Sequence, residues 1–225
     1  MNDININEWM ESFKEKIIDS FGERVEFIGI QGSRGRHEER KDSDIDVVVI
    51  LDTLKTKDLD KYEQTINKME NRNLICGFIS GIEEIKNWDK SDLFQFYYDT
   101  SPVYKNIDFI KSIIKKDDIK RMIHLSSCNI YHMAVHNYIH EKNIEILKSL
   151  YKSLSFIIKA KYFYESSKYI KQNKELANCM SNTDKEIFSI YLNFDNNIDK
   201  NNKYFKDYSE MIINYTSTII KNYSM

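Results

Sequence analysis

A chain of 225 residues that is 41% hydrophobic and 13% aromatic is long enough for one or two domains around a substantial core, which excludes a disordered polymer and a mini-protein. Its 33 Lys and Arg against 35 Asp and Glu leave a net charge of −2, so no global positive field exists to hold bulk nucleic acid by its phosphates. Three scattered cysteines, 6 Gly and 1 Pro argue against a disulfide framework, a thiolate zinc site or a many-turned sandwich, and predict a cytoplasmic protein of long helices and few strands.

The opening from Met1 to Glu11 is polar and acidic, and no stretch approaches the ~20 apolar residues of a membrane span, so neither secretion nor membrane insertion is expected. Across residues 7–21, Trp9, Met10, Phe13, Ile17 and Ile18 recur at helical spacing, with Gly22 as the residue that ends the helix. Residues 25–30 read as a buried strand, 31–36 as a polar turn, and 45–51 as a second strand rich in β-branched residues. Residues 58–72 form a polar helix with Leu59, Tyr62, Ile66 and Met69 on one stripe, and residues 74–80 form a third strand ending at Gly81.

A mixed helix over residues 82–98 leads to Ser101-Pro102-Val103-Tyr104 and another helix from Ile107. The domain boundary is placed near Lys116, which gives a first domain of residues 1–116 and a second of residues 117–225. In the second, residues 117–141, 143–172, 183–194 and 203–222 read as helices of an antiparallel bundle. Thr183 and Glu186 have capping-box spacing, and the Asn/Lys-rich residues 195–203 read as a solvated loop. The fold class is α+β: a small mixed-sheet domain followed by a helical bundle.

Chemistry concentrates at Gly32-Ser33-Arg34-Gly35-Arg36 and the following Ser43-Asp44-Ile45-Asp46-Val47. A tight Gly-Ser turn after a strand lets backbone amides and a hydroxyl approach phosphate oxygens, and Arg34 and Arg36 add positive charge beside it. Strand alternation puts Asp44 and Asp46 on one face while Ile45 and Val47 point into the core. Two such carboxylates can share a magnesium ion that also binds substrate phosphates.

In this ordered pattern the chain resembles the nucleotidyltransferase superfamily of DNA polymerase β and the aminoglycoside nucleotidyltransferases. Its Gly-Ser-x-Gly-Arg form and its layout of a catalytic domain followed by helices are most similar to kanamycin nucleotidyltransferase-type proteins. The resemblance implies that Gly32 and Ser33 hold a nucleoside triphosphate, that Arg36 contacts its phosphates, and that Asp44 and Asp46 bind Mg2+. It also implies transfer of a nucleoside monophosphate, AMP from ATP by default, to an acceptor hydroxyl on a small molecule.

One departure stands out: the superfamily commonly supplies a third carboxylate from a later strand, and residues 74–80 contain no acid. Glu83, Glu84 and Asp99 follow that strand and are candidates for the role, each with a plain solvated-surface alternative. His124, Cys128, His132, His136 and His140 recur every four residues on one predicted helix. Three readings stay open: a zinc-binding pair, histidines packed between helices, or a face looking into the cleft between the domains, where His132 or His136 serves as the general base. Phe94, Phe96, Tyr97, Tyr98 and Tyr104 read as core in preference to a stacking platform, and Tyr151, Phe156, Tyr162, Phe163, Tyr164 and Tyr169 as bundle packing or the surface of a homodimer.

Two other functions compete. A nucleotidyltransferase fused to helices like those of the HEPN toxin–antitoxin systems would modify a protein partner, although Arg121 and His124 stand too close for that family's RNase signature. A module that binds nucleotide without transferring it would explain the missing third acid.

Overall fold

The computed structural model describes residues 4–180, 182–194 and 204–224; the loop expected at residues 195–203 lies outside them. The chain divides into two compact units, Met1–Ile114 and Lys115–Met225.

The first unit contains α1 (Ile6–Phe21), β1 (Val25–Gln31), the single-turn α2 (Gly32–Gly35), β2 (Ile45–Leu51), α3 (Thr56–Ile66), β3 (Ile75–Gly81), α4 (Ile82–Asn87), α5 (Lys90–Asp99), β4 (Ser101–Tyr104) and α6 (Phe109–Ile113). The strands form one mixed sheet in the order β3-β2-β1-β4. β1 is antiparallel to both β2 and β4, whereas β2 and β3 run parallel, and α3 supplies the crossover that a parallel pair requires. Alternation along β2 sorts its side chains. Ile45, Val47, Val49 and Leu51 pack with Phe13 and Ile17 of α1, while Val48 and Ile50 pack with Phe27, Ile85, Leu93 and Ile110 on the other face. Full burial of each such aliphatic side chain contributes about 1.5–3 kcal/mol. By the same period Asp46 belongs to the second face.

Three boundaries differ from the sequence reading. Residues 101–104 form a strand, and Pro102 is tolerated because β4 is an edge strand that pairs with β1 alone. The expected helix over 82–98 is two helices, because the Asp89 side chain accepts the Ser91 N–H at 2.9 Å and starts α5 afresh. α3 stops at Ile66, and Asn71 turns left-handed at φ 56° before β3.

The second unit contains α7 (Lys116–His136), a wide π-type turn at Asn137–Glu141, α8 (Ile144–Ser166), α9 (Asn173–Cys179), α10 (Asn182–Leu192) and α11 (Phe205–Asn222). α7 packs on α8 and α11, and α8 on α10. Of the aromatic side chains of α8, Tyr151 is fully buried and its O–H donates to the Tyr208 carbonyl at 2.9 Å, while Phe156, Tyr162, Phe163 and Tyr164 are half-buried, with Tyr164 meeting Tyr223 at 5.7 Å between ring centres. α10 begins one residue before Thr183, so that threonine sits inside the helix and not at its cap. Asp184 instead accepts the Tyr215 O–H at 2.8 Å and pairs with Lys161. Among the described residues no helix is long and apolar enough to cross a membrane.

Candidate functional site

β1 delivers the polar turn to the first residues of β2, because its last residue, Gln31, pairs with Asp46. Gly32 then takes φ +70°, and a β-carbon there would lie 1.9 Å from Asp46 Oδ2. Only glycine lets the backbone rest on that carboxylate. Gly35 is needed for a second close approach, since a β-carbon on it would lie 2.9 Å from the Ile30 carbonyl oxygen. Ser33, between them, is half-buried; Asp46 is half-buried and Asp44, just before β2, is exposed. The structure therefore brings Gly32, Ser33 and Asp46 together, with Asp44 two residues back along the same segment.

The turn is braced from beneath. Asp99, at the end of α5, accepts the Gly32 N–H at 3.3 Å and both of its oxygens accept from Arg36 Nη1, at 2.9 and 3.0 Å. Arg36 Nε also lies 3.4 Å from Glu38 Oε2. Arg34 donates through Nε and Nη2 to the Ser43 carbonyl at 3.1 and 3.0 Å, tying the turn to the segment that carries Asp44. Gln31 Nε2 donates to Thr100 Oγ1 at 2.6 Å, and Ser101 Oγ to the Gly35 carbonyl at 3.3 Å.

Arg34 and Arg36, expected on phosphate, are thus drawn inward, with 3% and 6% of their surface exposed. A buried guanidinium must be paired, and these two are paired with the protein. Asp99 was a candidate for the third carboxylate; 6% exposed and held by Arg36, it supports the turn instead.

The other acidic candidates are misplaced. β3 runs parallel to β2 and sets Asp46 level with Cys76, and Leu51 level with Gly81. Glu83 and Glu84 follow Gly81, so they leave the sheet at the far end of β2, about 16 Å from Asp46 at the usual rise per residue. Glu83 pairs there with Lys86 at 2.7 Å. The residue level with Asp46 on β3 is the exposed thiol of Cys76.

The histidines belong to the second unit. His132, His136 and His140 are exposed, which removes the reading of these three as packed between helices. Their ring centres are 6.4 Å apart for His132 and His136 and 4.8 Å for His136 and His140. His124 Nε2 lies 3.9 Å from Cys128 Sγ. The aromatic run of α5 is core: Phe94 is 1% exposed, and Phe96 meets Phe78 edge-on at 5.4 Å.

Among the described residues no group of three or more His, Cys, Asp or Glu is arranged to hold a metal. Two hard carboxylates, half-buried Asp46 and exposed Asp44, suit magnesium in kind, since that ion takes one or two protein carboxylates and completes its shell with phosphate and water.

This combination of a mixed sheet, a glycine turn seated on the second strand and a paired aspartate motif is the arrangement expected of a nucleotidyltransferase domain. The family model described as Polymerase beta, Nucleotidyltransferase matches residues 15–79, a span that holds the turn and both aspartates. The fold is shared over its whole length with spectinomycin adenyltransferase AAD(9) from Enterococcus faecialis, solved with ATP and spectinomycin, at a TM-score of 0.60 and 15% identity, covering 98% of this chain and 100% of that one. A nucleotidyltransferase-like protein from Exiguobacterium sibiricum aligns at a TM-score of 0.37 and 7% identity, over 97% of this chain and 75% of that one. No curated protein matches the sequence significantly.

Proposed function

We propose that this protein transfers AMP from ATP to a hydroxyl group of a small molecule in a magnesium-dependent reaction. The acceptor oxygen forms a bond to the α-phosphorus, the bond from that phosphorus to the bridging oxygen breaks, and pyrophosphate leaves. The observation that carries the reading is the Gly32-Ser33 turn resting on the Asp46 carboxylate. ATP and a small acceptor are supported by the full-length fold match to an adenyltransferase solved with both.

In this reading Ser33 donates its hydroxyl to a phosphate oxygen, and Asp44 and Asp46 hold the magnesium. When bound, that ion neutralises triphosphate charge and orients the phosphates. Arg36 and Asp99 keep the turn in register. His132 or His136 takes the acceptor's proton as the hydroxyl attacks. Three free cysteines suit a reducing cytoplasm. A second reading has its own support: with the thiol of Cys76 level with Asp46, the domain binds nucleotide without turning it over.

The test incubates the protein with each α-labelled nucleoside triphosphate, magnesium and a panel of hydroxyl acceptors that includes the protein itself, with Asp44→Asn and Asp46→Asn as controls. Label transfer from ATP that falls at least ~100-fold in both variants, the equivalent of about 2.7 kcal/mol of lost charge stabilisation, supports the enzyme. Nucleotide binding without transfer to any acceptor supports the silent module, and failure to bind any nucleotide overturns both.

A further inference from the structure

We infer that His136 and His140 form a binding site for one divalent transition ion of the zinc class, separate from the magnesium carboxylates. Two imidazoles bound through nitrogen to one ion at ~2.0–2.1 Å have ring centres about 4.5–5.2 Å apart. Here the centres are 4.8 Å apart, and both rings are exposed and reach solvent.

The backbone explains the approach. Along an α-helix, residues four apart drift by about 40° around the axis, so a row of histidines walks off one face. The wide turn over Asn137–Glu141 packs more residues into each turn and takes back that drift between His136 and His140. The turn is itself anchored. Buried Asn137 donates through Nδ2 to the Asn143 carbonyl and accepts the Asn143 N–H, both at 3.0 Å, while the Lys142 N–H reaches the Asn137 carbonyl at 2.7 Å. His136 closes a helix of 21 residues, and the negative end of the helix dipole favours a cation there.

Neutral imidazole is the common ligand of zinc, nickel and copper and a poor one for magnesium. Two protein ligands leave the remaining positions to water or to an incoming group. The site rests on the geometry of the end of α7 and the turn that follows it, and stands whether or not a histidine is the base. A histidine that holds the ion cannot accept a proton, so an ion bound here leaves His132 as the base.

Calorimetric titration of the full chain with zinc chloride and with nickel chloride, without nucleotide, tests the site. One saturable site is expected, weakened at least ~10-fold in His136→Gln and in His140→Gln. Asp46→Asn and Cys128→Ser should retain it, and circular dichroism should report all four variants folded, since the two glutamines replace exposed rings. Absence of saturable binding by the wild type overturns the site. So does undiminished binding by His140→Gln, or loss of binding in Asp46→Asn or Cys128→Ser, which would move the ion to the nucleotide turn or to the His124–Cys128 pair.

Discussion

Gly32 lies against the carboxylate of Asp46 so closely that a β-carbon on it would come within 1.9 Å of Oδ2 and 2.9 Å of Cγ. Gly32→Ala therefore has to choose between displacing the carboxylate and unwinding the turn, and either outcome separates the turn from Asp46, which the proposed reaction needs together. The left-handed backbone adds roughly 1–2 kcal/mol of strain for any side chain. The expected result is a thermal midpoint only a few degrees lower and a transfer rate reduced at least ~100-fold, the equivalent of about 2.7 kcal/mol in the barrier. A variant as active as the wild type would show that the turn and Asp46 do not act together.

The Arg36–Asp99 pair makes a different prediction, one of stability. Both residues are 6% exposed and share two hydrogen bonds, so Asp99→Asn removes one of the two charges that balance the buried Arg36, leaving Glu38 on Nε, and should cost about 1–3 kcal/mol in urea unfolding. Replacing both residues by leucine removes the buried guanidinium as well and should restore part of that loss. It cannot restore the acceptor for the Gly32 N–H, so the double variant should stay impaired in ATP binding. Equal recovery of stability and ATP affinity would reduce the pair to a packing role.

What the sequence made legible follows from how local each cause is. Residues 45–51 are a short run dominated by β-branched residues and form β2, and α1 is placed to within one residue because its apolar stripe and Gly22 end together. β4 was not legible, since its four residues are held by pairing with β1 and carry no pattern of their own. The bracing role of Asp99 escaped for the same reason: its partner Arg36 is 63 residues away, and no spacing rule spans that distance. Glu83 and Glu84 looked adjacent to the site only because their sequence position hides the parallel register, which carries the chain out at the opposite end of the sheet.

Cys76 occupies the place on β3 that faces the same way as Asp46, on an exposed edge strand. Cys76→Asp should change stability by no more than about 0.5 kcal/mol, as surface substitutions do. A third carboxylate level with Asp46 should tighten magnesium binding by about tenfold, the equivalent of ~1.4 kcal/mol, read by calorimetry with ATP present. A rise in transfer rate alongside it would identify the missing acid as what limits turnover. An unchanged magnesium affinity would show that position 76 does not look onto the metal-binding carboxylates.

Acid sensitivity of the first unit should trace to Asp58. Arg24 donates to both Asp58 oxygens at 2.8 and 2.9 Å, and the Lys55 N–H adds a third bond at 2.9 Å. Hydrogen bonding from Arg24, reinforced by that amide and opposed by burial, holds the Asp58 carboxyl well below the usual carboxylate range. The unfolded chain, with an ordinary aspartate near ~3.9, binds the proton more readily than the native state. Stability from this group is therefore complete above about pH 5 and is lost as the pH falls through the lower native value. Asp58→Asn should be less stable than the wild type at neutral pH, and the gap should narrow steadily below about pH 4. Asp52 also bonds Arg24, at 3.0 Å, but its side chain is 46% exposed and its pairing is screened, so Asp52→Asn should barely move the curve. Urea unfolding of the three proteins between pH 3 and 7 reads this directly. A wild type and an Asp58→Asn variant whose stabilities run parallel over that range would remove Asp58 as the acid-sensitive group and place the acid transition elsewhere in the chain.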